Sequence, residues 1–265
     1  MTLRPLANPR FVVLLAFVLV LLALPRVARA DTNIAGGNII NQTWTPAGSP
    51  YFVSGDITIP SGAYLNIQAG TVVRFASTDA QASGLNSTKI EVTVNGILNV
   101  TGSDDNKVVF EAQTGTAANT WYGIVVSSTA TSATLQHAQI KHTYRALSTA
   151  LPGSAVQVSD TAVSANSNYG IYVTAGEVML QRISMSAVGS YAVYVSGGRV
   201  DLTHSILRDS TSYAAVYVSS ADATGTYVTN CTLYGNYYGV YSAGSSAKIF
   251  VKNSNLTHNT YGAYR

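Results

Sequence analysis

The stretch YAVYVSGGRVDLTHSIL, residues 191–207, contains three short runs in which apolar and polar side chains alternate. A period of two is typical of β-strands and differs from the 3.6-residue period of a helix. The runs are VYV, VDL and SIL, and only a few residues connect one to the next. Because such connections leave little room for hairpins, the stretch predicts three strands that each pair with a copy elsewhere in the chain.

Six copies of this pattern follow one another along the sequence. Each copy has Leu or Val first and Ile, Val, Met or Leu sixth, and successive copies start 23, 22, 22, 26 and 23 residues apart. The copies are LQHAQI from 135, VSDTAV from 158, LQRISM from 180, LTHSIL from 202, VTNCTL from 228 and VKNSNL from 251. A repeat of this length indicates a solenoid, in which equivalent strands stack in parallel about 4.8 Å apart around a shared core.

The third position of each copy is polar and lies between two inward-facing strands. It predicts a tight corner in the left-handed backbone conformation, which Asn, Asp and His tolerate better than most residues. Arg182 is the member that suits such a corner least. The six residues are His137, Asp160, Arg182, His204, Asn230 and Asn253.

The earlier part of the chain follows the same logic with longer connections. DITIPSGAYLNIQAGTVVRF at 56–75 and KIEVTVNGILNVTGSDDNKVVF at 89–110 each contain three strand-like runs, and WYGIVV from 121 enters the regular repeat. We therefore predict an all-β fold of about eight to nine turns with three short strands in each.

These segments resemble the N-terminal turns of secreted bacterial right-handed parallel β-helix proteins. The later copies resemble repeats of the pectin-lyase-like superfamily, and the resemblance extends over about residues 50–265. It implies a right-handed parallel β-helix. The superfamily includes polysaccharide lyases, glycoside hydrolases, uronan epimerases, phage tailspikes and adhesins, and no catalytic motif of these groups carries over to this sequence.

Residues 1–30 read as a signal peptide, with basic residues, an apolar run at 11–24 and a small-x-small ending before Asp31. The run is too short to span a bilayer comfortably, so we expect no transmembrane segment after cleavage and a secreted, extracellular or cell-surface protein. Four of the 15 basic residues lie in this segment, which leaves 11 basic against 12 acidic residues. The formal charge of +3 therefore does not indicate a nucleic-acid partner.

The ends of the solenoid carry two further expectations. Residues 31–50 are predicted to form an N-terminal cap, with Trp44 covering the core, and residues 51–265 to form the β-helix. The sequence stops at NTYGAYR, inside the first strand of a new repeat. We expect either that residues are missing beyond Arg265 or that the open strand edge pairs with another chain.

Paired carboxylates, which glycoside hydrolysis requires, are not evident among the 12 acidic residues. The sequence favours a non-catalytic protein, and we expect neither a cofactor nor a metal. His137, Asp160 and Arg182 occupy one position of three successive turns. They form a weak alternative site, because a His–Asp contact can be catalytic, whereas a ladder of opposite charges would be structural.

Tyrosines recur in two columns. The first opens each repeat and has the same parity as Ile171 and Val173, so its rings are expected to lean to the same side of the strand. We interpret it as a structural stack of rings at a corner. The second lies between inward positions, so its rings are expected to point outward, with Val125 and Leu147 at the same place in preceding turns. The first column is Tyr122, Tyr144, Tyr169, Tyr191, Tyr213, Tyr238 and Tyr261, and the second is Tyr172, Tyr194, Tyr217, Tyr241 and Tyr264.

The second column has two interpretations. Outward aromatic side chains suit β-strands and stabilise one another, or they form an amphipathic strip that binds sugar rings or a protein surface. We therefore expect an adhesin-like protein that binds a polysaccharide or another cell-surface component. The alternatives are a polysaccharide lyase or glycoside hydrolase, and a spacer that carries another domain.

Overall fold

The computed structural model describes residues 31–222 and 224–265, and the predicted signal peptide lies outside the described residues. The described chain forms 29 β-strands and one short 3₁₀ helix at Pro46–Gly48. Every strand pairing is parallel and joins equivalent strands of successive turns, for example Tyr172 with Tyr194. The predicted all-β parallel solenoid with three strands per turn is therefore confirmed.

Three sheets run the length of the solenoid. Sheet A consists of β1 (Thr32–Ile34), β4 (Tyr51–Val53), β7 (Val72–Phe75), β10 (Val108–Ala112), β13 (Ala138–Lys141), β16 (Ala162–Asn166), β19 (Ser184–Val188), β22 (Ile206–Arg208), β25 (Thr232–Tyr234) and β28 (Asn255–Thr257). Sheet B consists of β2 (Gly37–Asn38), β5 (Ile57–Ile59), β8 (Glu91–Val94), β11 (Gly123–Val126), β14 (Arg145–Thr149), β17 (Tyr169–Val173), β20 (Tyr191–Val195), β23 (Ala214–Val218), β26 (Tyr238–Ser242) and β29 (Tyr261–Tyr264). Sheet C consists of β3 (Gln42–Trp44), β6 (Tyr64–Gln68), β9 (Ile97–Thr101), β12 (Ser132–Gln136), β15 (Val156–Ser159), β18 (Glu177–Gln181), β21 (Arg199–Thr203), β24 (Thr226–Thr229) and β27 (Ile249–Lys252).

The solenoid has about ten turns, slightly more than the predicted eight to nine. The additional turn comes from residues 31–50, which contribute the first strand of each sheet, β1, β2 and β3. Trp44 is 2% exposed and its ring stacks on Tyr51 at a centroid distance of 4.6 Å. The segment expected to be a cap thus pairs with the following turn in the same register as the rest of the solenoid.

Inward-facing apolar side chains of all three sheets form one continuous core. Ile59, Val94 and Val126 occupy the same position of sheet B in successive turns and are fully buried. Phe75 and Trp121 stack inside the solenoid at a centroid distance of 3.9 Å. Removing this apolar surface from water is the main source of stability of the fold. A chain with a single cysteine has no intramolecular disulfide to add to it.

The predicted corner between sheets C and A is confirmed at all six polar positions. Their φ angles are positive and lie between 49° and 56°, in the left-handed region. Arg182 adopts the same conformation as the others, with φ 55°. The turn geometry of the solenoid therefore overrides the poorer local preference of arginine.

A long loop, residues 76–90, connects β7 of sheet A to β8 of sheet B. Its residue Leu85 is 66% exposed and borders a depression on the outer face of sheet B, together with Val125 and Ser148. The loop therefore forms a wall at the N-terminal part of this face.

Candidate binding face on sheet B

The second tyrosine column forms an uninterrupted row along sheet B. Tyr172, Tyr194, Tyr217, Tyr241 and Tyr264 are direct partners in the strand register. Tyr172, Tyr194 and Tyr217 each lie between two buried neighbours, such as Val193 and Val195 beside Tyr194, so these rings point outward as predicted. Tyr264 is 45% exposed, whereas the other four rings are half-buried against one another.

Ser148 continues this row toward the N-terminus, because it pairs with Tyr172 and with Val125. The expectation that Leu147 occupies this place is wrong. Leu147 pairs with Ile171 and is buried in the core at 1% exposure. The residues that face outward before the tyrosines are therefore small or aliphatic, which makes the face shallower there.

The rings of the first tyrosine column pack on one another as expected, but they lie on the same outer face as the second column and not on the side of Ile171 and Val173. Tyr169 contacts Tyr172 at 5.3 Å and Tyr194 at 5.0 Å between ring centroids. The alternation fails because Gly170 and Ile171 are both buried, which shifts Tyr169 to the outer side. Tyr122, at the N-terminal end, is the most buried member of the column.

The two columns merge into one aromatic surface, which we call the tyrosine face. Tyr191 contacts Tyr217 at 4.6 Å, and Tyr238 contacts both Tyr241 and Tyr264 at 4.9 and 5.1 Å. Tilted and edge-on arrangements predominate, which are favourable geometries for aromatic pairs. The members are Tyr144, Tyr169, Tyr172, Tyr191, Tyr194, Tyr213, Tyr217, Tyr238, Tyr241, Tyr261 and Tyr264.

The hydroxyl groups of Tyr191 and Tyr217, in the middle of this face, remain protonated at neutral pH. Burial, together with the neighbouring phenols, raises the pKa of Tyr191 and Tyr217 above the usual 10.0. The Tyr172 hydroxyl accepts a hydrogen bond from Ser196 Oγ at 3.1 Å. The face therefore presents flat apolar rings with neutral hydrogen-bonding groups, a combination that suits sugar rings and their hydroxyls.

Arg145 lies at the N-terminal end of the tyrosine face. Its guanidinium carbon is 5.2, 4.8 and 4.9 Å from the ring centroids of Tyr144, Tyr169 and Tyr172. Distances within about 6 Å allow cation–π attraction. The guanidinium thus places a positive charge at the N-terminal end of the row of rings.

Three buried carboxyl groups anchor the 76–90 loop beside this face. Asp56 Oδ1 accepts a hydrogen bond from the Glu91 backbone N–H at 2.8 Å, and Asp56 Oδ2 accepts one from Ser83 Oγ at 2.8 Å. Asp79 accepts hydrogen bonds from the backbone N–H groups of Asp56, Gln81 and Ser83. Asp56, Asp79 and Glu91 are 6%, 9% and 2% exposed.

Burial raises the pKa of Asp56 and of Glu91, and the mutual repulsion of the carboxyl groups adds to this effect. Glu91 Oε2 has no hydrogen-bond partner among the residues that the structure describes. An uncharged, protonated carboxyl fits this position better than a carboxylate does. The 76–90 loop covers the pair, and two of its four oxygens accept hydrogen bonds from backbone N–H groups, Asp56 Oδ1 from Glu91 and Glu91 Oε1 from Leu85.

This acidic pair was missed in the sequence, although a signal for it exists. Ile57 pairs with Val92, so Asp56 and Glu91 precede equivalent positions of successive turns. Aligning DITI, from residue 56, with EVTV, from residue 91, would have placed the two acids side by side. The 13-residue difference between this step and the regular repeat conceals the relationship.

The weak alternative site, His137, Asp160 and Arg182, is brought together as a charge ladder. Arg182 donates to both carboxylate oxygens of Asp160, with Nε–Oδ1 at 2.5 Å and Nη2–Oδ2 at 2.7 Å. His137 Nε2 is 3.9 Å from Asp160 Oδ2. The Arg182 hydrogen bond lowers the pKa of Asp160, which makes that carboxylate a poor general base.

No group of three or more His, Cys, Asp or Glu side chains suited to a metal ion occurs in residues 31–222 and 224–265. Over the same residues there is no helix of the length and hydrophobicity that a bilayer span would require.

A family model described as a right-handed β-helix region matches residues 95–264, which is more than half of the chain. No curated protein and no solved structure matches the sequence. The family match covers the regular repeats, and the three parallel sheets extend the same architecture to residue 32. The chain therefore belongs to the right-handed β-helix family, whose fold is that of the pectin-lyase-like superfamily.

Proposed function

We propose that this protein is an extracellular or cell-surface binding protein that holds an extended glycan along its tyrosine face. The observation that carries the proposal is the continuous contact of partly exposed tyrosine rings across successive turns of sheet B. A polymer lying along the solenoid axis would meet one new pair of rings at each turn, about 4.8 Å apart.

The chemistry of the face favours a glycan over a hydrophobic peptide. Sugar rings combine apolar C–H faces with hydroxyls, and tyrosine offers a flat ring with a polar tip. Because the hydroxyls of Tyr191 and Tyr217 stay neutral, they can donate to sugar oxygens over the whole physiological pH range. The half-buried rings also lose little side-chain entropy on binding, because their neighbours already hold them in place.

The proposal is tested with a glycan array followed by affinity measurements on the glycans that bind. Tyr217→Val is the most informative variant, because Val125 occupies the same column in an earlier turn and valine suits a strand. The matched control is Tyr234→Val, which removes an exposed tyrosine from sheet A.

We expect Tyr217→Val to weaken binding at least tenfold and Tyr234→Val to leave it unchanged. Thermal unfolding of both variants checks that the fold is retained. The absence of any bound glycan, or equal binding by Tyr217→Val and the wild type, would refute the proposal.

Hydrolysis or elimination on a polysaccharide is the second candidate function, favoured by the raised pKa of Asp56 and Glu91. It requires the 76–90 loop to open. Turnover of a polysaccharide by the wild type that Glu91→Gln abolishes would establish it, whereas equal product release by both proteins would exclude this pair from catalysis.

A further inference from the structure

We infer that Arg145 and Ser148 form an anion-binding subsite at the N-terminal end of the tyrosine face, which takes the acidic group of a carboxylated or sulfated sugar. This inference rests on the proposed function, since it names the chemical class of glycan that the face would hold.

The first observation is that Arg145 differs from the other arginines of the solenoid. Each of the other four arginines between residues 31 and 222 is paired with a carboxylate. The pairs are Arg74 with Glu111, Arg182 with Asp160, Arg199 with Glu177 and Asp201, and Arg208 with Asp209. Arg145 has no carboxylate within ion-pair distance in the described chain.

The second observation is the incomplete hydrogen bonding of this guanidinium. Arg145 Nε is buried and has no acceptor within the described residues. The rings of Tyr144, Tyr169 and Tyr172 shield it from water but provide only their π faces. A buried donor without an acceptor is costly, and more so when it carries charge. An anion that supplies two oxygens to the guanidinium would satisfy it in the bidentate geometry that arginine prefers.

The third observation is that a second unsatisfied polar group lies in the same place. Ser148 Oγ is buried and also lacks a partner in the parts of the chain that the structure describes. Arg145 and Ser148 line one depression, together with Leu85, Tyr122, Val125 and Tyr172. A hydroxyl donor and a guanidinium donor therefore border a single space.

The size of this depression limits what it can hold. Its volume is about 160 Å³, well below the range of about 300–1,000 Å³ that is usual for sites that enclose a whole small-molecule ligand. It suits one substituted sugar ring or its acidic group, while the remainder of the chain would continue over Tyr172 and Tyr194. The 76–90 loop, through Leu85, bounds the depression on the N-terminal side.

A purely structural role of Arg145 explains only part of the arrangement. Cation–π contacts with three rings would hold the end of the tyrosine stack. They do not account for the unpartnered Nε, nor for the unpartnered Ser148 hydroxyl beside it. Both are explained when the two groups act together as donors to one anion.

The test follows the side-chain Nε–H signal of Arg145 by ¹⁵N NMR. The signal is assigned by its loss in Arg145→Lys, which keeps the charge but lacks Nε–H and the planar fork. Three probes are titrated: methyl glucuronide, methyl glucoside 6-sulfate and methyl glucoside. We expect one or both acidic probes to shift the Arg145 signal and methyl glucoside to leave it unchanged. The comparison of the two acidic probes identifies carboxylate or sulfate as the preferred group.

Affinity for the acidic probe that binds is then compared among variants. We expect Arg145→Lys to lower this affinity at least tenfold and Ser148→Ala to lower it severalfold. Arg208→Lys, on sheet A, is the control and should leave the affinity unchanged. An Arg145 signal that responds to no probe, or equally to the neutral one, would overturn the inference. Unchanged affinity in Arg145→Lys would do the same.

These outcomes are separable from those of the proposed function. Neutral glycans that bind through Tyr217 while Arg145 stays unresponsive would refute the subsite and leave the proposed function standing. Acidic probes that shift the Arg145 signal in a protein that binds no glycan on an array would refute the extended face.

Discussion

Asp56 Oδ1 accepts a hydrogen bond from the backbone N–H of Glu91 at 2.8 Å, although 35 residues separate the two acids in the chain. A Cβ added to Gly84 would collide with Glu91 Oε1 and lie 2.6 Å from Asp56 Oδ2, so both carboxyl groups face the same loop glycine. The 76–90 loop is therefore fastened by two acids that repel each other when both are charged.

This relationship predicts a pH dependence that Glu91→Gln should remove. The folded-state pKa of Glu91 is raised, chiefly by burial, so its protonated form contributes stability that is present at low pH and lost as the pH rises above about 4.5 through the folded value. We expect Glu91→Gln to be more stable than the wild type at pH 8 by about 1 kcal/mol, and nearly equal to it at pH 4.

Urea unfolding at the two pH values measures this difference. Glu177→Gln is the control, because Glu177 is paired with Arg199 and its substitution should not stabilise the protein at pH 8. A Glu91→Gln variant whose advantage grows as the pH falls would contradict the assignment of a raised pKa.

Arg182 provides a test of the corner geometry. Asn tolerates the left-handed conformation that Arg182 adopts at φ 55°, so Arg182→Asn should change the free energy of unfolding by less than about 1 kcal/mol, even though its ion pair with Asp160 is lost. Arg182→Val places a β-branched residue there and should cost about 2 kcal/mol more. Chemical denaturation of the two variants checks this, and equal stabilities would show that the backbone conformation is not decisive.

Asn236 is 2% exposed and is fully hydrogen-bonded at the junction of sheets A and B. Its Nδ2 donates to the Leu207 carbonyl at 3.1 Å and to Asn259 Oδ1 at 3.0 Å, and its Oδ1 accepts from the Ser210 N–H at 3.0 Å. Asn236→Asp replaces the donor by an oxygen that faces two acceptors, so we expect a loss of about 3 kcal/mol in unfolding free energy at neutral pH. Asn253→Asp, at an exposed corner, is the control and should be nearly neutral.

Gly123 sets the position of the Arg145 backbone. Its φ is 133°, and an added Cβ would collide with the carbonyl oxygen of Arg145. We expect Gly123→Ala to lower the unfolding free energy by more than about 2 kcal/mol and to abolish the response of the Arg145 Nε–H signal to acidic sugars. Gly62 also has a positive φ, 78°, but a Cβ added there would meet no atom within 4 Å. Gly62→Ala should therefore lower the unfolding free energy only by the smaller cost of the backbone conformation. If the two variants behave alike, the close approach to Arg145 has no consequence.

The repeated corners could be predicted from the sequence because their requirement is local. A left-handed residue between two inward strands needs only its own backbone preference, and Asn230 and Asn253 display that preference directly. The outward row of Tyr172 and Tyr194 was equally accessible, since strict alternation holds from Ile171 to Val173.

The remaining features depend on how turns stack, which spacing alone does not fix. The side of the sheet on which the first tyrosine column lies was predicted wrongly, because the consecutive burial of Gly170 and Ile171 breaks the alternation. The Asp56–Glu91 pair was hidden by the intervening 76–90 loop, which lengthens one turn. Arg145 carried no distinguishing signal, because its significance lies in the absence of a carboxylate within ion-pair distance among the described residues, and that absence becomes visible only once the positions of the turns are known.

The register of Tyr194 with Tyr172 and Tyr217 has an evolutionary consequence. Each strand contacts only its neighbours in the sheet, so a tandem duplication of one repeat would insert a further rung without disturbing the contacts of distant ones. Such an insertion would lengthen the aromatic row by a fixed step of about 4.8 Å. Selection could thus adjust the length of the tyrosine face by copying a unit of some two dozen codons.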